Sequence, residues 1–342
     1  MPTIKDVAKL AGVSASTVSK YLNHSTTLLP EYKERVRKAI GELNYLPNQF
    51  ARSMRTKKTM QIALVVSSFE SQHSLGFYDT TVAKATQHGY NIITLMTNET
   101  YQGVESAVQI IRSGVVDGAI FGYIDFEDSV VPLLEEAGRA KPCVMLTHSP
   151  QDIDMNTIVI SMYDGQYMVM EHLIGLGHKK IAFCAGYAKS AYMEEKIRAY
   201  RACMKAHGLK YPEEYVKIGQ HNSLITGYKN ATELLKLPDP PTAIAAANDM
   251  LAVGCIKAVV DARLRVPQDV AISGFDGIML SSVYDPSITT FKQPIGEMSS
   301  IALTKLINKI EKGEEANEVL FYKGALQIGK STDEDAPAKF II

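Results

Sequence analysis

Apolar positions along this chain follow two periods. Over residues 3–45 they recur every three or four positions. From residue 61 they form short unbroken runs separated by amphipathic stretches. The unbroken runs are QIALVVS (61–67), NIITLM (91–96), GAIFGY (118–123) and PCVMLT (142–147). Helical patterns lie between them near 77–88, 102–113 and 128–137. A second series follows: helix 164–176, strand KIAFCAG (180–186), helices 192–207 and 225–236, strand TAIAAA (242–247), helix 249–262 and strand VAISGF (270–275). Runs apolar at every position suit strands covered on both faces. Alternation with helices predicts parallel sheets of βαβ units. Two doubly wound lobes fit this length better than one sheet.

The first segment has a different build. In TIKDVAKLA, Ile4, Val7, Ala8 and Ala11 share one helical face, with Thr3 as cap and Asp6 in the first turn. Gly12-Val13 breaks that helix. Ser14 caps a second one, whose apolar face is Val18, Tyr21 and Leu22. Two short helices about a glycine turn make a helix-turn-helix. Pro30 opens a third helix with the stripe Val36, Ala39, Ile40 and Leu43.

Charge separates the same two regions. Residues 1–60 hold eleven Lys/Arg and four Asp/Glu, a net of +7; residues 61–342 hold 25 and 33, a net of −8. A cationic head on an anionic body points to a polyanion partner for the head alone. In a helix-turn-helix the second helix enters the major groove. Ala15, Ser16 and Lys20, read as lying away from the apolar stripe, are the candidate base readers: Ala15 for a thymine methyl, Ser16 as donor or acceptor, Lys20 for guanine or phosphate. Thr3, Ser14, Thr17, Ser19, Asn23 and the cations of the third helix are candidate phosphate contacts or caps.

Other functions lack their signatures. No apolar run is long enough to span a bilayer, and Met1-Pro2-Thr3-Ile4 leads into a helical pattern rather than an export signal, so a cytoplasmic protein is expected. The four cysteines have no Cys-x-x-Cys spacing and read as buried free thiols. There is no Gly-x-Gly-x-x-Gly after Val66, no Walker A run and no Gly-x-Ser-x-Gly elbow. The eight histidines form no His-x-x-x-His pair. No enzyme activity, cofactor or metal is expected.

The runs TIKDVAKLAGVSASTVSKYLN and ELNYLPNQFARSMRTKKT resemble the headpiece and hinge of the LacI/GalR family of bacterial transcription regulators. The likeness is dense over residues 3–59 and continues more loosely to about residue 330. It implies a multidomain α+β chain: a headpiece at 1–46, a hinge helix at 47–60, a periplasmic-binding-protein-like (type I) effector domain at 61–330 and a tail at 331–342. The effector domain would place 61–161 and 292–321 in one lobe, and 162–291 and 322–330 in the other. In the family the hinge helices lie in the minor groove and wedge a leucine into the central base step. Met54 takes that position here, with Tyr45, Asn48, Ala51 and Arg55 as further DNA-facing candidates.

Ligands of open parallel sheets bind where the strands end. The residues there are rich in hydroxyls, amides, carboxylates and aromatics, a set suited to a polyhydroxylated small molecule. The candidate effector residues are Ser68, Tyr78, Tyr123, Thr147, Lys196, Asn222, Asn248, Asp249 and Asp276. Asn248, Asp249 and Asp276, in AANDMLAVG and ISGFD, match the family pattern, and Asp276 is the leading ligand carboxylate. Thr147 and Lys196 depart from it, standing where relatives often carry aspartate and arginine. Lysine cannot make arginine's planar two-pronged contact, so the pocket is expected to be retuned away from a typical monosaccharide.

The expected protein is a homodimeric repressor binding a near-palindromic operator in double-stranded DNA, with affinity set by a small-molecule effector, a sugar or sugar derivative. Two alternatives remain open: control by a phosphoprotein corepressor, and a solute-binding protein without DNA function.

Overall fold

The computed structural model describes residues 2–22, 28–46, 56, 58–67, 72–98, 100–123, 128–148, 153–187, 190–314 and 316–337. The chain forms two compact units, Met1–Thr59 and Met60–Ile342.

The first unit holds α1 (Ile4–Ala11), α2 (Ala15–Leu22) and α3 (Pro30–Glu42). The Asp6 carboxylate accepts from both the Thr3 backbone N–H and the Thr3 hydroxyl at 2.8 Å, which satisfies the start of α1. These bonds hold the Asp6 carboxyl below its usual range. Gly12 ends α1 in the left-handed region, at φ 61°. Arg35 of α3 donates to the Gly12 carbonyl at 2.9 Å. A β-carbon on Gly12 would lie 2.3 Å from that guanidinium. Sequence and contact thus agree that only glycine suits this turn. Val7, Ala8, Ala11, Val18, Val36, Ala39 and Tyr45 form the core.

The second unit contains two six-stranded sheets. The first comprises β1 (Gln61–Val66), β2 (Asn91–Met96), β3 (Gly118–Gly122), β4 (Cys143–Thr147), β5 (Asn156–Ile160) and β11 (Val319–Tyr322). Its order is β11-β5-β4-β3-β1-β2, parallel throughout. α4 (Gln72–Gln87) and α12 (Ile295–Lys312) cover one face, and α5 (Tyr101–Arg112) and α6 (Val131–Ala140) the other.

The second sheet comprises β6 (Ile181–Ala185), β7 (Val216–Ile218), β8 (Ala243–Ala246), β9 (Ala271–Asp276), β10 (Thr289–Lys292) and β12 (Ala325–Gln327). Its order is β12-β10-β9-β8-β6-β7, with only β10–β12 antiparallel. α7 (Met162–Gly175) packs on α8 (Ala191–Ala206), and α9 (Leu224–Leu234) on α10 (Asp249–Asp261). The last pair is very close: a β-carbon on Gly227 or Gly254 would lie 2.1 Å from a carbonyl of the facing helix. A short α11 (Met279–Val283) follows β9.

The chain passes between the sheets three times: from β5 to α7, from β10 to α12, and from β11 to β12. The cleft between the two lobes is therefore lined by strand ends from both. The periodicity did not disclose β5, β7, β10, β11, β12 or α11, all six residues or shorter. The helix expected from 77 starts at Gln72, and the one expected from 128 starts as a 3₁₀ turn before Val131. All four cysteines are buried and free. No described helix is long and apolar enough to cross a membrane.

Candidate functional site

In the headpiece, Ser14 Oγ accepts from the Thr17 N–H at 3.1 Å and so caps α2. The same oxygen lies 2.8 Å from Ser16 Oγ and 2.9 Å from Thr17 Oγ1, so three hydroxyls cluster at the start of the helix. Ser16 and Lys20 are exposed, and Ser19 is half-buried. Ala15 differs from the sequence expectation. It packs against the headpiece core, because its spacing to Val18 and Leu22 puts it on the edge of the apolar stripe. Tyr45 also differs: its ring is buried in that core, only 8% exposed. Among the α3 cations, Arg35 holds the turn and Arg37 pairs with Glu34 at 2.5 Å, while Lys33 and Lys38 are exposed. Asn23, Asn48, Ala51, Met54 and Arg55 lie outside the described residues.

In the cleft, aromatic rings run from one lobe to the other. Phe77 meets Tyr123 edge-on at 5.8 Å, Tyr123 stacks on His148 at 4.9 Å, and His148 meets Tyr192 of the opposite lobe at 5.5 Å. Such pairs prefer these offset and edge geometries. Tyr123 adopts φ 52° and Asp276 φ 106°, an uncommon backbone for residues other than glycine. Both sit immediately at strand ends, where strain collects at binding sites. Burial, then the Asp276 charge, pushes the Tyr123 phenol far above its usual pKa and keeps it a hydrogen-bond donor.

Lys196 is buried, at 3% exposure. Its Nζ donates to the Ala247 carbonyl at 2.8 Å and lies 3.4 Å from the centre of the Phe275 ring. Burial pushes its pKa down to about 8, against the pull of Asp276 and Asp249. The expected effector lysine is therefore engaged with the protein. Asp249, at the first position of α10, accepts from the Ile278 N–H at 2.9 Å and braces the turn that presents Asp276. Burial and the Asp276 charge push the Asp249 carboxyl up to about 8. Asn248 caps α10 through Leu251 N–H at 2.8 Å, and its amide donates to the Asn222 carbonyl at 3.4 Å. Asn222 in turn donates to the Tyr192 hydroxyl at 3.0 Å. Gln293, at the β10–α12 crossing, donates to Asp276 Oδ1 at 2.9 Å. The Asn222 side-chain oxygen and the Gln293 Oε1 are buried with no protein donor.

Ring contacts and hydrogen bonds thus run from Tyr123 through His148 and Tyr192 to Asn222 and Asn248, and the Asp276 charge acts on Tyr123, Lys196 and Asp249. Thr147 is buried at the end of β4, Tyr78 packs on the first lobe's core, and Ser68 is outside the described residues. Phe77, Tyr192, Phe275 and Gln293 join the site without belonging to the sequence candidates, whereas His148 follows β4 at a strand end, where the sequence places ligand contacts. Tyr192 could have been found four residues before Lys196, one turn away on the same helix face.

A basic helix-turn-helix headpiece and a two-lobed α/β domain with a polar, aromatic-lined cleft define a DNA-binding regulator with a small-molecule binding domain. Residues 3–48 match the bacterial regulatory proteins of the lacI family, and residues 170–332 match the periplasmic binding protein-like domain. The chain is 30% identical to the HTH-type transcriptional repressor PurR of Pasteurella multocida, over 97% of this chain and 98% of that protein. It is 31% identical to the ribose operon repressor of Escherichia coli, over 91% and 93%. The lac repressor dimer bound to operator and the anti-inducer ONPF superposes with a TM-score of 0.83 at 27% identity, covering 97% and 99% of the two chains. The chain belongs to the LacI family of bacterial transcriptional regulators.

Proposed function

We propose that this protein is a cytoplasmic, non-enzymatic repressor. Residues 1–46 bind DNA, residues 47–60 serve as hinge, and residues 61–330 sense a small molecule. It acts as a homodimer on a near-palindromic operator, reading base edges with Ser16 and Lys20. The effector occupies the cleft between the lobes against Asp276, Asn222, Asn248 and Tyr123. The observation that carries this reading is the Gln293 side-chain oxygen, a buried acceptor without a protein donor on the side chain bonded to the Asp276 carboxylate; the Asn222 side-chain oxygen is a second such acceptor. Buried acceptors without donors cost about 1–3 kcal/mol each, and a hydroxyl-rich ligand supplies the missing donors. Effector and operator then affect one another reciprocally, with a coupling of about 1–3 kcal/mol.

A sugar or sugar derivative fits these groups. A purine is the competing ligand class, given the PurR relative. Thermal melting of the full chain against sugars, phosphosugars and purines distinguishes them, since a ligand at one hundred times its Kd stabilises by about 2.7 kcal/mol. A stabilising compound must also shift operator affinity; one that melts the protein higher but leaves operator binding unchanged counts against the cleft as sensor. A phosphoprotein corepressor finds less support. Lys305, the α12 cation expected to meet a phosphate, is bonded to Glu318 at 2.6 Å, and Lys309 further along the helix is bonded to Asn317 at 2.5 Å.

A further inference from the structure

We infer that Glu171, Cys203 and His207 form a binding site for a zinc-class divalent ion on the second lobe, separate from the cleft. Cys203 and His207 are four residues apart near the end of α8, so they share one face of that helix. Glu171 faces them from the packed neighbour α7. Glu171 Oε1 lies 2.8 Å from His207 Nε2 and 3.5 Å from Cys203 Sγ. The three ligand atoms all fall within 4.8 Å of one another. Zinc bonds of about 2.3 Å to sulfur and about 2.0–2.2 Å to nitrogen and oxygen place ligand atoms roughly 3–4 Å apart. The protein therefore presents the three atoms near the spacing an ion needs.

The donor set selects the metal. A thiolate and an imidazole favour zinc and disfavour magnesium and calcium, which take oxygen ligands. His207 is exposed and the Glu171 side chain keeps 43% of its surface open, so the ion has a path from solvent, while Cys203 forms the buried floor. His207 also closes the end of α8, where the helix dipole favours a cation. Binding replaces the Cys203 S–H proton by the metal: the sulfur keeps its electron pair, bonds to the ion, and the proton goes to water. His207 binds through the Nε2 lone pair with its proton on Nδ1. A fourth position is left for water, as in open three-ligand sites. The sequence signal is a Cys-x-x-x-His spacing on one helix, completed by a carboxylate from the other.

Bound metal would fasten α7 to α8, the helix whose first turns carry Tyr192 and Lys196. The test uses the full chain, stripped with a chelator and titrated with zinc against a chromophoric competitor, and with cobalt. One zinc per chain is expected, together with a thiolate-to-cobalt charge-transfer band. C203S abolishes the band, and E171Q and H207N weaken zinc by more than about tenfold. H207N alters an exposed rim position, so it decides the matter if C203S does not fold, as checked by circular dichroism. Wild-type protein without the band, or zinc affinity unchanged in H207N, would overturn the site.

Discussion

Lys196 Nζ sits 3.4 Å above the Phe275 ring centre, immediately before Asp276 in the chain. A cation held over an aromatic face and bonded to a backbone carbonyl is fixed in place, which distinguishes this lysine from a ligand clamp. Lys196→Met keeps the stem and removes the charge. It is expected to weaken effector binding less than loss of Asp276 does, because Lys196 supports the pocket from behind. Effector titration followed by melting measures both variants.

Asp276→Asn retains the shape and removes the carboxylate that Gln293 donates to. Charge-assisted hydrogen bonds contribute about 1.5–3 kcal/mol, so effector affinity falls at least about tenfold. Operator binding without effector stays as in the wild type. A loss of effector-free operator binding would instead assign Asp276 to folding.

Asp249 should impose a pH dependence on stability. Its carboxyl titrates near 8 in the folded chain against an ordinary 3.8, so the folded state holds the extra proton between those values. Stability from this group is complete below about pH 4 and declines as pH rises toward 8. Asp249→Asn removes that decline. Denaturant melts of wild type and variant at pH 5 and pH 8 should show wild type losing ground relative to the variant at pH 8; parallel behaviour of the two proteins would refute the shifted carboxyl.

Gly12→Ala meets both a left-handed backbone and the Arg35 guanidinium. The backbone term alone costs roughly 1–2 kcal/mol. Operator affinity should drop, while effector-induced stabilisation of the second unit against melting is unchanged.

Lys20→Ala should relax discrimination at one base position by about 1–3 kcal/mol if Lys20 reads an edge. A uniform loss across all duplexes, with a shallower salt dependence, would make it a phosphate contact. Binding to a panel of single-base operator variants at two salt concentrations separates these outcomes.

The two-unit plan was legible because each unit has its own apolar period and its own sign of charge. Long central strands such as QIALVV announce themselves. VLFY at β11 does not: it is a four-residue strand that pairs only with β5, and alternate residues are exposed. The burial of Lys196 was present in the pattern. Met193, Lys196, Ala199, Tyr200 and Cys203 form the buried face of α8, so the lysine stands on an apolar stripe. The aromatic ladder was not legible. His148 and Tyr192 come from different lobes and meet only because the chain crosses between the sheets.

That crossing contact also makes the protein optically addressable. The chain contains no tryptophan. Tyr192→Trp would introduce a single indole against the His148 imidazole, at the seam between the lobes. Its emission would follow the separation of the two rings, so domain opening could be timed directly in solution without any attached dye.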